Sequence, residues 1–164
     1  TENKLMNNLL NSGGMKGMLS TIWLVICAMS FGGAMQETGL LKRISEPVIQ
    51  YAKTTGSLIT TTSVTCIFFN LTTADQYLSI VVPGKMFEES FKNKGLAPEN
   101  LSRTLEDSGT VTSVLIPWNT CGAAQSAVLG VATLAYLPFC FFNLISPIMT
   151  ITYGYLKIKI KKAS

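Results

Sequence analysis

A short polar break separates two apolar runs in residues 101–122, which read LSRTLEDSGTVTSVLIPWNTCG. Pro117 removes a backbone hydrogen-bond donor and Gly122 loosens the chain, so a helix through this stretch should be interrupted. In water, such a break would be an ordinary loop between two helices. In a bilayer, irregular backbone is tolerated only where it is buried in protein or lines a wet cavity. The meaning of the stretch therefore depends on whether the chain lies in a membrane.

The composition favours a membrane protein. Hydrophobic residues make up 48% of the 164 residues and charged residues only 13%, and the mean hydropathy is +0.35, whereas soluble domains carry roughly 25% charged residues. Residues 17–36, 54–74 and 108–156 contain no Asp, Glu, Lys or Arg, and a membrane span needs about 20 mostly apolar residues. The net charge of +4 comes largely from the last eight residues and does not imply nucleic acid binding. We therefore predict an all-α, polytopic protein whose partner is the lipid bilayer.

A second polar break, NLTTADQY, occupies residues 70–77 within the apolar region 57–82. As a straight helix this region would be about 39 Å long, enough to cross a hydrocarbon core of about 30 Å with Asp75 well inside it. An acid within a membrane is costly and indicates a functional site by default. Neutral oxygens from Asn70, Thr72, Thr73 and Gln76 lie nearby in the chain, and with one carboxylate they suit a hard monovalent cation or a proton. Alternatively, Asp75 caps the helix that follows the break, and the two roles are compatible.

The lengths of the apolar runs predict the topology. The run that begins at Leu105 and ends at Pro117 is about 20 Å long as a helix, too short to cross, so two short legs that meet at a polar break suggest a re-entrant hairpin. One long broken span is the alternative. Charge favours the hairpin, because it places the hydrophilic loop outside and the lysine-rich tail in the cytoplasm. The expected segments of this single membrane domain, 1–164, are a transmembrane helix over 17–41, a broken transmembrane helix over 57–84, a hydrophilic loop over 85–104, the hairpin over 105–137, a transmembrane helix over 139–156 and a basic tail over 157–164.

Two polar breaks in apolar segments are typical of secondary transporters, in which half-helix ends meet at mid-membrane to bind substrate and ion. We therefore expect Asn119 and Thr120 to join Asn70, Thr73 and Asp75 near mid-membrane. Asp75 and Asn119 are the expected Na⁺ ligands.

Three further acids are candidates for a proton path. Glu37 lies near the end of the first predicted span and is either an interfacial carboxylate or a proton carrier. Glu106 and Asp107 form either the acidic mouth of the path or a first-turn pair stabilised by the helix dipole.

Three long runs carry a resemblance to a known family. NLTTADQYLSIVVPGKMF (70–87), LSRTLEDSGTVTSVLIPWNTCGAAQSAVLGV (101–131) and FNLISPIMTITYGY (142–155) resemble the C-terminal region of the NhaC-type Na⁺/H⁺ antiporter family. The resemblance implies an antiporter of the bacterial inner membrane, with Na⁺ and H⁺ as transported ions and no cofactor. It also implies inverted repeats, each with a re-entrant hairpin and a broken helix. The chain begins at Thr1 with polar residues, and we expect it to be the second repeat of a longer transporter whose N-terminal repeat is its partner.

Three functions compete. The first is a cation/proton antiporter, and the second is a transporter of organic acids, such as malate and lactate, or of amino acids on the same fold. The third is a membrane subunit or receptor that transports nothing, which has no use for Asp75. The polar breaks contain no Lys or Arg to pair an organic carboxylate, which favours a cation. We therefore expect a secondary transporter rather than an enzyme. A homodimer is a candidate assembly.

Overall fold

The computed structural model describes residues 19, 23, 26, 30, 34, 37–39, 43, 54–73 and 75–163. This part of the chain is helical and contains no strand apart from one isolated antiparallel bridge between Leu96 and Lys162. The prediction of an all-α protein is thus confirmed for the described residues. Most of the predicted transmembrane helix over 17–41 lies outside them.

Seven α-helices follow one another from residue 55 onward. They are α1 Thr55–Thr73, α2 Gln76–Asn93, α3 Pro98–Leu105, α4 Val111–Ser113, α5 Thr120–Leu129, α6 Thr133–Tyr136 and α7 Phe141–Leu156. A π-helical turn, Glu106–Thr110, joins α3 to α4 with helical dihedral angles throughout, so residues 98–113 form one rod with a single wide turn. A 3₁₀ turn, Leu137–Phe139, follows α6.

Helix α1 runs from the C-terminal end of α7 towards the π-helical turn. At its start, a Cβ on Gly56 would meet the ring of Tyr155 at 2.7 Å, so the two helices touch there through a residue without a side chain. At its end, the side-chain amide of Asn70 donates to the carbonyl of Gly109 at 2.6 Å. The helix stops at Thr73, and Asp75 begins the next one in an extended conformation.

Helix α2 returns along the α3 rod in the opposite direction. A Cβ on Gly109 would meet Ile80 at 3.1 Å, and a Cβ on Gly84, one turn further along α2, would meet Leu105 at 3.3 Å. The loop after α2 then reaches the tail that follows α7, where Leu96 pairs with Lys162. Helices α1 and α2 therefore form an antiparallel hairpin whose tip includes Asp75.

Helix α5 begins just after the second break. Helix α5 packs mainly against its neighbours α4 and α6, with no substantial packing against α3. The chain then turns at residues 130–132, and the hydroxyl of Tyr136 donates to the carbonyl of Val114 at 2.6 Å, which brings α6 back to the level of the break. Helix α7 continues from there to the tail.

The length and composition of the helices bear on the predicted membrane spans. Among the described helices, none is by itself long and apolar enough to cross a bilayer. By length and composition a span could be formed by two segments together, Thr133–Phe139 and Phe141–Leu156, which are bent by 59° at Cys140. The largest exposed side chains are apolar, and many buried ones are polar. Phe139, Phe142 and Leu134 are 75%, 72% and 70% exposed, whereas Asn70, Thr104 and Asn119 are fully buried. So many large apolar side chains are rarely exposed on a soluble monomer.

The tail after α7 is held by the loop between α2 and α3 and by the first turn of α3. The side-chain amide of Asn100 donates to the Lys161 carbonyl at 2.7 Å, and the Lys161 amide donates to the Asn100 side-chain oxygen at 3.1 Å. The Lys161 ammonium lies 3.5 Å from the Glu99 carboxylate. A hydrogen bond from its own backbone amide and then the charge of Lys161 lower the pKa of Glu99. The loop and the tail therefore lie at the same end of the molecule.

The structure shows an antiparallel hairpin over Thr55–Asn93, while the re-entrant hairpin over 105–137 stays a prediction. The loop lies beside the tail, whereas the sequence predicted them on opposite sides of the membrane. Much of the predicted hydrophilic loop, 85–104, is also helical, because α2 continues through Pro83 to Asn93. The physical reason is that a polar break fixes where a helix stops but not the angle at which the chain resumes. Both breaks carried the same signal, and packing turns the chain back along α3 at the first of them.

The apolar core lies between α1, α2 and α3 and is completed by the loop. Gly154 of α7 packs against Ile59, and a Cβ there would meet the Ile59 side chain at 2.9 Å, so a small residue allows the two helices to approach closely. The buried cluster consists of Leu58, Ile59, Cys66, Val82, Met86, Phe87, Phe91, Leu96, Leu101 and Leu105.

Candidate functional site

The two helix breaks meet through a pair of buried asparagines. The side-chain amide of Asn119 donates to the side-chain oxygen of Asn70 at 3.2 Å and to its carbonyl at 3.4 Å. The Asn70 amide in turn donates to the carbonyl of Gly109 and to the hydroxyl of Thr112. Buried amides are costly unless they are hydrogen-bonded, and these two satisfy each other and the π-helical turn. We call residues 70–73, 75, 76 and 118–121 the break junction.

Two further contacts join the break junction. The indole nitrogen of Trp118 donates to the carbonyl of Leu71 at 2.9 Å, close to the end of α1 where carbonyls lose their helical donors. The Cys121 thiol lies 2.6 Å from the side-chain oxygen of Gln76. Three residues of the second break thus contact three residues of the first.

Two helices begin at the break junction, each with a polar side chain as its N-cap. Asn119 caps α5 by accepting from the backbone amide of Cys121 at 3.1 Å. Asp75 caps α2 through one oxygen, Oδ1, which accepts from the amides of Tyr77 at 2.8 Å and Leu78 at 3.2 Å. The C-terminal ends of α1 and α4 also reach the junction. It therefore contains both the positive and the negative ends of helix dipoles.

The structure brings together only some of the predicted ion ligands. Asn70 and Asn119 are in contact, as expected, but Asn119 bonds to Asn70 and not to Asp75. The hydroxyls of Thr72 and Thr73 donate to carbonyls of their own helix, at Phe68 and Phe69. Thr120 is exposed. The role of all six residues in ion binding stays a prediction, with Asp75 half-buried at the edge of the junction.

Sequence reasoning missed Gly109 as a partner of the junction, and it named Gln76 as a neutral oxygen near Asp75 without its contact to Cys121. Gly109 accepts from Asn70, and its lack of a side chain lets the turn lie against Ile80. Gln76 contacts Cys121. The glycine in the run EDSGT and the amide next to Asp75 were visible signals, but neither indicated which element it would meet.

The neighbouring acids Glu106 and Asp107 lie in different surroundings. Glu106 is exposed and accepts from the hydroxyl of Thr110 at 3.1 Å. Asp107 is half-buried, and its carboxylate accepts from the hydroxyls of Ser146, at 3.2 Å, and Thr150, both on α7. Of the two, Asp107 alone faces another helix.

Glu37 is the third candidate for the proton path. Glu37 is exposed, among the few described residues before residue 54. Within the described ranges no three His, Cys, Asp or Glu side chains come together as a metal cluster would require.

Comparison with known proteins shows the family. The model of the "Na+/H+ antiporter family" matches residues 1–158. The Na⁺/H⁺ antiporter NhaC of Alkalihalophilus pseudofirmus is 41% identical over 99% of this chain and 35% of its own length. The NhaC protein of Bacillus subtilis is 36% identical, over 96% of this chain and 35% of its own length. The arginine/ornithine antiporter ArcD of Halobacterium salinarum is 39% identical, over 92% of this chain and 31% of its own length.

The chain spans about a third of the length of these relatives. No solved structure gives a significant match. Since the family model covers nearly the whole chain and the resemblance quoted from the sequence is thereby confirmed, the chain belongs to the Na⁺/H⁺ antiporter family.

Proposed function

We propose that the chain is part of a secondary transporter that exchanges Na⁺ for protons across the bacterial inner membrane. The observation that carries this proposal is the buried contact between Asn70 and Asn119, which joins two helix breaks at one polar point. In an apolar protein such a point is costly, and in transporters it is where ions bind. The family membership supports Na⁺ as the cargo.

Asp75 is the proposed carrier of the exchanged charge. The amides of Tyr77 and Leu78 both bond to Oδ1 and hold the carboxylate in place, while no described residue donates to Oδ2. That oxygen is available for either a proton or Na⁺. Carbonyls at the end of α1 and the side-chain oxygens of the asparagines supply the neutral ligands that Na⁺ needs. Because one carboxylate takes either ion, but not both, the uptake of one is coupled to the release of the other.

Asp75→Asn in the full-length transporter tests this proposal. Asparagine caps a helix as well as aspartate does, so the variant keeps the start of α2 and loses only the charge. We expect normal insertion and no Na⁺-dependent proton movement in inverted membrane vesicles. Glu89→Gln removes an exposed carboxylate from the same helix and should exchange like the wild type. Normal exchange by Asp75→Asn would show that another group carries the charge.

An organic acid or an amino acid is the alternative cargo, and Arg103 favours it. Two guanidinium nitrogens of Arg103, Nε and Nη2, are buried and have no hydrogen-bond partner among the described residues. Guanidinium groups pair well with carboxylates. Exchange of preloaded malate, lactate or arginine by the full-length protein in proteoliposomes, lost in Arg103→Gln, would support this alternative. Na⁺/H⁺ exchange that needs no organic solute would contradict it.

The rest of the transporter is the proposed partner of the chain. The exposed apolar side chains of α6 and α7 would face lipid or that remaining part. A homodimer is a further proposal, which the mass of the purified transporter in detergent would test. A mass equal to that of one monomer would contradict it.

A further inference from the structure

We propose that Asp107 is the centre of a second cation site, formed between the π-helical turn, α7 and α1. Its ligands are the Asp107 carboxylate and the hydroxyls of Ser146, Thr150, Ser63 and Ser108. The proposed occupant is a monovalent cation, and its identification as Na⁺ rests on the proposed function.

The carboxylate already collects hydroxyls from the opposite helix. Ser146 and Thr150 are one turn apart on α7, and both donate to Asp107. Thr150 is only 3% exposed. A hydroxyl is both donor and acceptor, so each can turn its oxygen towards a bound cation while the carboxylate supplies the balancing charge.

Two other hydroxyls have no partner. The oxygens of Ser63 and Ser108 are buried, and neither has a hydrogen bond to any described residue. Both residues are completely buried. A buried polar group without a partner costs stability, and an alanine would pack there without that cost. Ser108 follows Asp107 in the chain and Ser63 lies on the helix that packs against this turn, so the two unsatisfied hydroxyls together indicate a missing ligand.

The packing of α1 places Ser63 at the level of Asp107. Ile59 of α1 contacts Gly154 of α7, and the two helices run in opposite directions. Ser63, one turn after Ile59, is therefore level with Thr150, one turn before Gly154. On its other side, a Cβ on Gly109 would lie 3.7 Å from the Cβ of Cys66, which follows Ser63 by three residues. Ser63 thus lies on the face of α1 that meets both the π-helical turn and α7.

Two irregularities of the backbone occur at the same place. The amide of Val111 donates to the carbonyl of Glu106, five residues earlier, which is the π-helical pattern, and such turns are frequent at functional sites. Pro147 follows Ser146 inside α7. Since proline has no backbone amide, the carbonyl of Asn143, one turn earlier, has lost its helical donor.

The chemistry of the ligands selects the ion. One carboxylate and neutral hydroxyls balance one positive charge, and oxygen ligands suit hard cations. The site also lies close to the break junction, because Asn70 bonds to Gly109, two residues after Asp107 in the same turn. A cation at Asp107 would therefore be linked to the break junction through the π-helical turn.

Binding of radioactive ²²Na⁺ to the purified full-length transporter tests the site. The variants are Asp107→Asn, Ser63→Ala, Ser108→Ala and Thr150→Val. Matched controls are Ser102→Ala and Thr152→Val, which remove exposed hydroxyls from α3 and α7. We expect Asp107→Asn to weaken binding at one site by at least about tenfold and each hydroxyl variant by about threefold or more, with both controls unchanged.

The thermal unfolding of the serine variants separates ligation from packing. If the hydroxyls are ligands, Ser63→Ala and Ser108→Ala keep or raise the Tm in Na⁺-free buffer while they lose affinity for Na⁺. Unchanged affinity in both would overturn the site. If Asp107→Asn does not fold, these two variants decide the question alone.

Failure of this inference differs from failure of the proposed function. In one outcome the wild type exchanges Na⁺ for protons, Asp75→Asn does not, and all four variants of the second site bind Na⁺ normally. This outcome would refute the second site and leave the proposed antiport intact. Binding of Na⁺ that depends on Asp107, by a wild-type protein that moves no protons, would refute antiport and retain the site.

Discussion

The side-chain amide of Asn119 lies 3.2 Å from the side-chain oxygen of Asn70, although the two residues are 49 positions apart in the chain. Each asparagine lies where a helix is interrupted, and both are completely buried. Through this pair, the tip of the α1–α2 hairpin is fixed against the start of α5. Unwound backbone at two separate points thereby becomes one polar site.

Asn119→Ala should weaken both the fold and the binding of Na⁺. It removes the cap of α5 and leaves the oxygens of Asn70 without their donor, which should lower the free energy of unfolding by about 1–3 kcal/mol. The Na⁺ concentration for half-maximal exchange should rise. Gln125→Ala, on an exposed face of α5, serves as the control for both measurements. A loss of stability with unchanged Na⁺ dependence would assign Asn119 a structural role only.

Cysteines placed in the loop and in the tail should react from the same side of the membrane. We choose Asn93→Cys and Ile158→Cys, both exposed, because the loop and the tail are joined by Asn100 and Lys161. Val131→Cys, at the turn between α5 and α6, should react from the other side. Accessibility to a membrane-impermeant maleimide, in a background without the native cysteines, gives the result.

The charge at the loop and tail end predicts which side it faces. The tail carries Lys157, Lys159, Lys161 and Lys162, and the loop adds Lys94. Positive residues favour the cytoplasm, so Asn93→Cys and Ile158→Cys should react in inverted vesicles and not in intact cells. Labelling of these two positions from opposite sides would contradict the contacts around Asn100.

Asn100→Ala should release the tail. Asn100 is 2% exposed and makes hydrogen bonds both to and from the backbone of Lys161, so its removal should cost about 1–3 kcal/mol. Protease cleavage after the tail lysines should become faster in the detergent-solubilised transporter. Glu99→Gln removes only the exposed ion pair with Lys161 and should leave the rate of cleavage nearly unchanged. Equal cleavage of both variants and the wild type would show that Asn100 does not hold the tail.

Gly122→Ala should disrupt the second break. A Cβ at Gly122 would collide with the carbonyl oxygen of Ile116, which also accepts from the amide of Asn119. The backbone must shift to accommodate it, so we expect less folded protein and a loss of exchange. Gly84→Ala places its Cβ 3.3 Å from the flexible end of Leu105 and should be tolerated. The yield of monodisperse protein and the exchange rate measure both effects.

Much of the fold and part of the site follow from the sequence. Long uncharged runs predict helices, Pro117 and Gly122 predict an interruption, and the polar run around Asp75 predicts another; each depends on local chemistry, and the structure contains helices and interruptions at these places. The contact of Asn119 with Asn70 was also expected, because freed polar groups in an apolar protein have few other partners.

The tertiary structure decided what local chemistry leaves open. Whether a break turns the chain back or lets it continue depends on packing, and the glycine contacts at Gly84 and Gly109 turned α2 back along α3. The same holds for the two acids at 106 and 107, which are equivalent as sequence. Successive side chains point in different directions around a helix, so Asp107 points towards Thr150 while Glu106 stays exposed. This difference follows from the position of α7, which the sequence around residues 106 and 107 does not specify.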